Sequence, residues 1–365
     1  MNSKEAASRI AERFVRRVRR DPNIHHAHLL VHSDRLNVSL NLAESASGGR
    51  PADPRQPYYI ASVSKLFAAV LCATLVERGE LGFDDPISGY LDAELLRELH
   101  VYKGKDYAGD IRVRHLLNHT SGLNDFFEDK PAQGASMLDL TLEESSRLWT
   151  PRDVVEWTKS RLKNRFPPGQ GFHYSDTGYH LLGMLLENAA GRAYSDLLRD
   201  RILQPLGMMH TYLSGYSAPL EPNGLPPAGL YIRDRDISSY DSLSWMFAGG
   251  GLVSTTEDQL KFMKAVVKRE IVSDATFAAM NDWATFFPGI DYGYGLMNIK
   301  PVFVIMPKKY AAWGNAGSTG SFLFYHPATD AYLIGSLNQF RYDRKGIRFM
   351  FGIIDILSKC VPEKR

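Results

Sequence analysis

The sequence predicts an α/β protein in which a helix and strands from both chain ends form one domain and a mostly helical domain is inserted between them. Three observations carry this. Residues 3–20 hold an amphipathic helical pattern followed by two strand-like runs, residues 302–338 return to strand character before a last helix, and the middle reads as helices parted by Gly/Pro turns. The expected division is residues 1–70 with 296–365 as the α/β domain and 71–295 as the helical domain, with the active site between them. At 365 residues and 44% apolar content the chain has ample material for a core.

In the first element Ala7, Ala11, Phe14 and Val18 fall near one helical face, and Asp21-Pro22 ends the run. Arginines occupy the other faces, but Glu5 and Glu12 interrupt them, so packing on a sheet is expected rather than a membrane surface. Residues 27–42 read as two strands joined at Ser33-Asp34. After Pro57, residues 63–78 are apolar on nearly every face, which predicts a central buried helix stopped by Gly79. Turns follow at Pro167-Pro168-Gly169 and Gly249–Gly251. Phe322–Tyr325 and Tyr332–Leu337 read as strands around a turn at 326–330, and Gly346–Val361 as the last helix.

Charge excludes several classes of partner. With 43 basic and 41 acidic side chains, a formal charge of +2 generates no field that would draw nucleic acid or anionic lipid. The expected partner is a small molecule. The longest mainly apolar stretch, Leu66–Val76, holds 11 residues with Thr74 among them, whereas a membrane-spanning helix needs about 20. The Arg-rich start lacks a secretory h-region, so a cytoplasmic location is expected. Cys72 and Cys360 lie in apolar helical patterns and read as buried thiols. The eleven histidines show no metal-ligand spacing, and neither metal nor cofactor is expected.

The candidate chemistry starts at Ser62-Val63-Ser64-Lys65, whose spacing puts hydroxyl and amine on one helical face, a turn apart. A serine hydroxyl is a weak nucleophile until a base takes its proton, and burial among Leu66, Phe67, Ala69 and Val70 is expected to lower the proton affinity of the amine. The alternative is a plain helix N-cap. A second match, Ser160–Lys163, stands among Lys159, Arg161 and Arg165 on a solvated helix and is expected to be inert.

The motif keeps company with PYYIASVSK at 57–65, LLNHTSGL at 116–123, PPGQGFHYSDTG at 167–178 and PLGMMHT at 205–211. AGGGLVSTTED at 248–258, YGYGL at 292–296 and GNAGSTGSFLFY at 314–325 complete the series. In this order the chain resembles the serine β-lactamase and penicillin-binding-protein superfamily, most closely its class C-like branch of esterases and D,D-peptidases. The resemblance covers Pro57 to Asn338 and implies an antiparallel sheet flanked by terminal helices. It implies Ser62 as the acylated nucleophile, Lys65 as proton acceptor and Tyr174 as proton relay. The backbone N–H groups of Ser62 and Ser318 would form the oxyanion hole, and Asp176, Asn315, Gly317 and Ser318 would contact substrate. A nearby cation is expected to favour the phenolate of Tyr174.

Two positions depart from the family. Asp176 replaces the amide of the second motif, and Asn315 replaces the basic residue of the third. An ionised Asp176 beside Lys65 would keep that amine protonated and shift the role of base toward Tyr174. An uncharged Asn315 gives no anchor for a substrate carboxylate.

Other segments read as architecture. Gly122 is expected to terminate a helix, Asn118, His119 and Thr120 to bond backbone, and Thr256 with Gln259 to form a capping box. Phe126, Phe127, Trp245, Phe247 and Tyr292 are candidates for an acyl pocket or for core packing. An α/β-hydrolase elbow at 316–320 would need a helix directly after Ser318, where the sequence is strand-like. The expected activity is that of a serine hydrolase forming an acyl-enzyme on an ester or amide, most simply a carboxylesterase. The alternatives are a D,D-peptidase, a β-lactamase or an acyl-transfer enzyme, and, outside catalysis, a penicillin-binding-like module that holds a ligand without turnover.

Overall fold

In the computed structural model, which describes residues 1–46, 51–303 and 306–360, Asn2 caps helix α1 (Ser3–Arg20) by accepting the Glu5 N–H at 2.8 Å. Its buried stripe is Ala6, Ile10, Phe14 and Val18, so the face lies one residue earlier at its start than Ala7 and Ala11 suggest. Strands β1 (His26–Ser33) and β2 (Val38–Ser45) follow, paired antiparallel. Helix α2 (Ser64–Glu77) is buried from Ser64 to Ala73, and Gly79 ends it in the left-handed region at φ +71°. Helices α3 (Asp176–Ala190) and α4 (Thr256–Val267) complete the framework around α2.

The sheet returns earlier than the sequence suggests. Strands β3 (Ala284–Phe287), β4 (Ile290–Tyr292) and β5 (Met297–Ile299) already belong to it, followed by β6 (Ala312–Ala316), β7 (Phe322–His326) and β8 (Ala331–Ser336). The order across the sheet is β3-β4-β5-β6-β7-β8-β1-β2, antiparallel throughout. Helix α5 (Asp343–Leu357) closes the chain with α1 on one face of the sheet, where Phe14, Leu29, Phe324 and Ile353 share one core. Val361 and residues 304–305 lie outside the described residues. The other core joins Leu30, Leu323 and Ile334 to α2, α3 and α4. Thus α2 is a helix buried on all sides between the sheet and the helical segments.

Local details correct two expectations. The helix Val113–Leu117 ends through Asn118 and His119, with His119 at φ +61°, so Gly122 is not its terminator. Gly122 serves a close approach instead, because a Cβ there would lie 1.9 Å from the Phe166 carbonyl oxygen. Helix α4 is capped by Thr255, which accepts the Asp258 N–H at 3.1 Å, while Thr256 donates to Asn41 Oδ1 at 2.8 Å. Cys72 and Cys360 are buried and form no disulfide. Among the described residues no helix is long and apolar enough to cross a membrane.

Candidate active site

Ser62 sits in the single 3-10 turn Ala61–Val63 that leads into α2. Ala61 adopts φ +48°, a costly conformation for a residue with a Cβ, so the surrounding structure must hold it. Two contacts do so. Ser321 Oγ donates to the Ile60 carbonyl at 2.7 Å, and the Ile60 N–H donates to the Leu252 carbonyl at 3.0 Å. The first ties the turn to the β6–β7 hairpin. The second ties it to a small sheet in which Tyr58–Tyr59 and Tyr212–Leu213 flank Leu252–Ser254.

One turn along, Lys65 is fully buried, and its amine meets three acceptors: Ser62 Oγ at 3.1 Å, the Gly249 carbonyl at 2.7 Å and Asp176 Oδ1. An ammonium has three N–H donors, and this tripod occupies all of them. The expectation of an amine in apolar surroundings is therefore corrected. Leu66, Phe67, Ala69 and Val70 pack α2 into the core, while the head group faces a carbonyl, a carboxylate and the nucleophile.

Asp176 is the first residue of α3, and Ser175 caps that helix by accepting the Gly178 N–H at 3.0 Å. The carboxylate is almost fully buried and engaged by Lys65, so it is a counter-ion rather than the substrate contact expected from its place in the motif. Its backbone N–H donates to Asp125 Oδ1 at 3.2 Å.

Tyr174 lies just before α3, its ring centroid 5.0 Å from Lys65 Nζ and 4.1 Å from the His119 ring. Burial and then the charge of Asp176 push its phenol well above its ordinary range, and a hydrogen bond with Ser62 opposes them only in part. The phenol is thus neutral at rest, contrary to the expected phenolate. His119 accepts the Ser175 N–H on Nδ1 at 3.0 Å, and burial with the Lys65 charge holds it neutral. It supports the backbone before α3, as its segment suggests. Thr120 instead donates to a side chain, Asn118 Oδ1, at 2.7 Å, rather than to backbone as expected.

The third-motif strand divides its roles between side chain and backbone. Asn315 is fully buried and donates to Tyr292 Oη at 3.1 Å and to the Gly295 carbonyl at 2.8 Å. Its Oδ1 accepts the Ala316 N–H at 2.7 Å. The amide is engaged inside the protein, which corrects its assignment as a substrate contact. Gly317 is different, because a Cβ there would lie 2.9 Å from the Ser62 nitrogen and 2.4 Å from Ser321 Oγ. Only glycine lets the strand end abut the nucleophile turn. Ser318 follows in a turn, half-buried, its carbonyl accepting the Tyr342 N–H at 3.0 Å.

Phe126, Trp245, Phe247 and Tyr292 are buried and pack in the core, with Phe127 stacked on Trp245 at 5.4 Å. The aromatic rings beside Tyr174 are Tyr292, edge-on at 5.9 Å, and the half-buried Phe286, stacked at 6.0 Å. Lys163 of the second Ser-x-x-Lys match lies beyond the end of the helix Pro151–Arg161 and is exposed. The residues after Ser318 lead into β7, not a helix, which removes the hydrolase-elbow reading.

An antiparallel sheet carrying a buried Ser-x-x-Lys helix, with a tyrosine and a strand end converging on the serine, defines the architecture of the penicillin-binding type. The family model Beta-lactamase matches residues 26–350, and the chain belongs to that family. Penicillin-binding protein 4* of Bacillus subtilis is 30% identical over 266 residues, covering 67% of this chain and 53% of that protein. The D-alanyl-D-alanine-carboxypeptidase/endopeptidase AmpH of Escherichia coli is 26% identical over 205 residues, covering 56% and 47%. The chain spans about half the length of the curated relatives it matches. Among solved structures, a D-stereospecific amidohydrolase from Streptomyces sp. superposes with a TM-score of 0.77 at 24% identity, covering 94% of this chain and 97% of that one. The D-amino acid amidase of Ochrobactrum anthropi SV3, complexed with D-phenylalanine, gives 0.76 at 24%, covering 98% and 99%.

Proposed function

We propose that the chain hydrolyses an ester or amide through an acyl-enzyme on Ser62. The observation that carries this is the Lys65 amine bridging Ser62 Oγ and Asp176 Oδ1. A lysine can accept the serine proton only after releasing one of its own, and the bound Asp176 carboxylate is the acceptor at hand. As that proton crosses to Asp176, the amine takes the Ser62 proton, and Oγ forms its bond to the acyl carbon. Tyr174 gives its phenolic proton to the leaving oxygen or nitrogen as the acyl bond breaks, and Lys65 returns a proton to the phenolate. Water repeats the sequence in reverse and frees the acid. The N–H groups of Ser62 and Ser318 are the donors for the tetrahedral oxyanion, and each such donor contributes about 3 kcal/mol to the transition state.

The substrate class follows from charge. With Asn315 uncharged and internally bonded, the strand offers no cation for a carboxylate, so neutral acyl groups fit better than anionic β-lactams. Simple carboxylic esters are the first class to test. Relatives named as a penicillin-binding protein and a D-alanyl-D-alanine-carboxypeptidase support peptide amides as the second. Intact-mass spectrometry after exposure to p-nitrophenyl esters, D-Ala-D-Ala peptides and penicillins tests the proposal. The expected result is a single acyl increment that Ser62→Ala abolishes. An increment that persists in Ser62→Ala, or none with any compound, overturns it and favours a ligand-binding module.

A further inference from the structure

Beside the Lys65–Asp176 pair lies a second carboxyl that the mechanism above does not use. Asp125 is about 1% exposed and comes from the loop after Leu123. Its Oδ1 accepts two backbone N–H groups, from Asp176 at 3.2 Å and Phe127 at 3.1 Å, while its Oδ2 meets no hydrogen-bond partner. Among the described residues it forms no ion pair: Lys65, the cation nearest in the cluster, is engaged by Asp176. The other groups around it are already balanced or uncharged. Asp129, which accepts the Asp125 N–H at 2.9 Å, is held by Arg165 at 2.5 Å and His173 at 3.0 Å. Glu128 is an exposed neighbour in the loop, and Tyr174 and His180 are neutral.

We propose that Asp125 stands in the resting site as the neutral acid, a positioning residue that leaves Asp176 as the single counter-charge of Lys65. Charge balance at the site requires it, given the reading of Ser62, Lys65 and Tyr174 as the reacting groups on which this role rests. A buried carboxylate with an oxygen facing no donor and no cation is costly, and the neutral acid avoids that cost. With Asp125 neutral, ammonium and carboxylate cancel. With Asp125 ionised, the cluster carries a net negative charge beside the position where the oxyanion must form, and turnover falls. Burial first, and then the charge of Asp176, hold the Asp125 carboxyl well above the ordinary carboxylate range, in agreement with the geometry. The direction is therefore set: activity is lost on the alkaline side as Asp125 ionises. The same ionisation lowers stability, because a carboxyl raised in the fold stabilises at low pH and loses that contribution as pH rises through its folded value.

Asp125→Asn tests this, since asparagine copies the shape of the neutral acid, retains the Oδ1 acceptor and cannot ionise. One measurement is kcat/KM for p-nitrophenyl acetate against pH, and the expected result is an alkaline limb displaced upward, with about a tenfold gain over wild type at its far end. The second is the thermal midpoint of Asp125→Asn against Asp125, both carried in a Ser62→Ala background so that no acyl chemistry is needed. The Asn variant is the more stable at both pH values, by a margin that is smaller near pH 5, just above the ordinary carboxylate value, than near pH 9. Superposable limbs, midpoints that differ equally at both pH values, or an Asp125→Asn protein unable to fold at neutral pH would each overturn the proposal. Loss of the Ser62 acyl adduct would instead strike the functional reading and leave the thermal result standing.

Discussion

The carbonyl oxygen of Gly249 lies 2.7 Å from Lys65 Nζ, although the two residues are 184 positions apart. This contact fixes the third donor of the ammonium and so aims the other two at Ser62 and Asp176. The small sheet explains how it forms, since pairing of Tyr58–Tyr59 with Leu252–Ser254 brings the short helix Phe247–Gly250, which stands where the sequence suggests a turn, over the start of α2. Ser64 adds to it by accepting the Leu252 N–H at 3.2 Å.

A Cβ at Gly249 would stand 3.0 Å from Asp176 Oδ1 and 3.6 Å from Lys65 Nζ. Gly249→Ala is accordingly expected to displace the carboxylate by a few tenths of an ångström without disrupting the core. The outcome is a fall in kcat of about tenfold with folding retained, since small misplacements of reacting groups carry large kinetic costs. Steady-state rates beside a far-ultraviolet circular dichroism spectrum check this. Unaltered kcat would show that the added Cβ leaves the carboxylate in place.

The Lys65–Asp176 pair predicts a stability effect of its own. Asp176→Asn keeps an acceptor for Lys65 but strands a buried ammonium without its counter-charge, at a cost of about 3 kcal/mol. Urea unfolding at neutral pH measures it. A variant as stable as wild type would mean that the two groups are not an ion pair in the folded protein.

The contacts of Lys65 mark where the sequence is legible and where it is not. Helix α2 and strands β7 and β8 are long apolar runs with clear boundaries, so pattern alone places them. Strands β4 and β5 hold three residues each, too few for a period of two to register. Ser62 and Lys65 are local to one turn and visible as a motif. Asp176 and Gly249 reach Lys65 from 111 and 184 residues away, a convergence that only tertiary packing creates. Asn315 shows the same boundary differently. Its position on β6 follows from the resemblance, but which side of the strand it faces is decided by Tyr292 and Gly295, not by its own motif.

Buried neutral histidines predict acid lability. Burial lowers His28 to about 3 and both His115 and His180 to about 4, against an ordinary value of 6.5. Below that ordinary value the unfolded chain binds protons that the fold refuses, so stability present above pH 6.5 is lost as pH falls toward 4. His28 and His180 alone remove on the order of 4 kcal/mol between about pH 6.5 and pH 5. Thermal midpoints across that interval are expected to drop steeply, and less steeply in His28→Phe, whose ring can keep the stacking on Tyr58 seen at 4.8 Å. Equal slopes in the two proteins would remove His28 from the account.

Restoring the family's cation at position 315 is the remaining test, and the structure reverses the outcome that the motif alone suggests. From the sequence, Asn315→Lys should improve activity on anionic β-lactams. In the fold, the amide bridges Tyr292 Oη and the Gly295 carbonyl in a fully buried site one strand from the Lys65 tripod. A second ammonium there has no counter-ion, and burying an unpaired charge costs several kcal/mol. Asn315→Lys is therefore expected to be strongly destabilised with no gain on penicillins. Asn315→Ala, which orphans two acceptors and the Ala316 N–H, loses about 3 kcal/mol. Urea midpoints of both variants, with penicillin hydrolysis by Asn315→Lys alongside, decide the matter: a stable lysine variant that turns over penicillin would show that the side chain reaches the cleft after all.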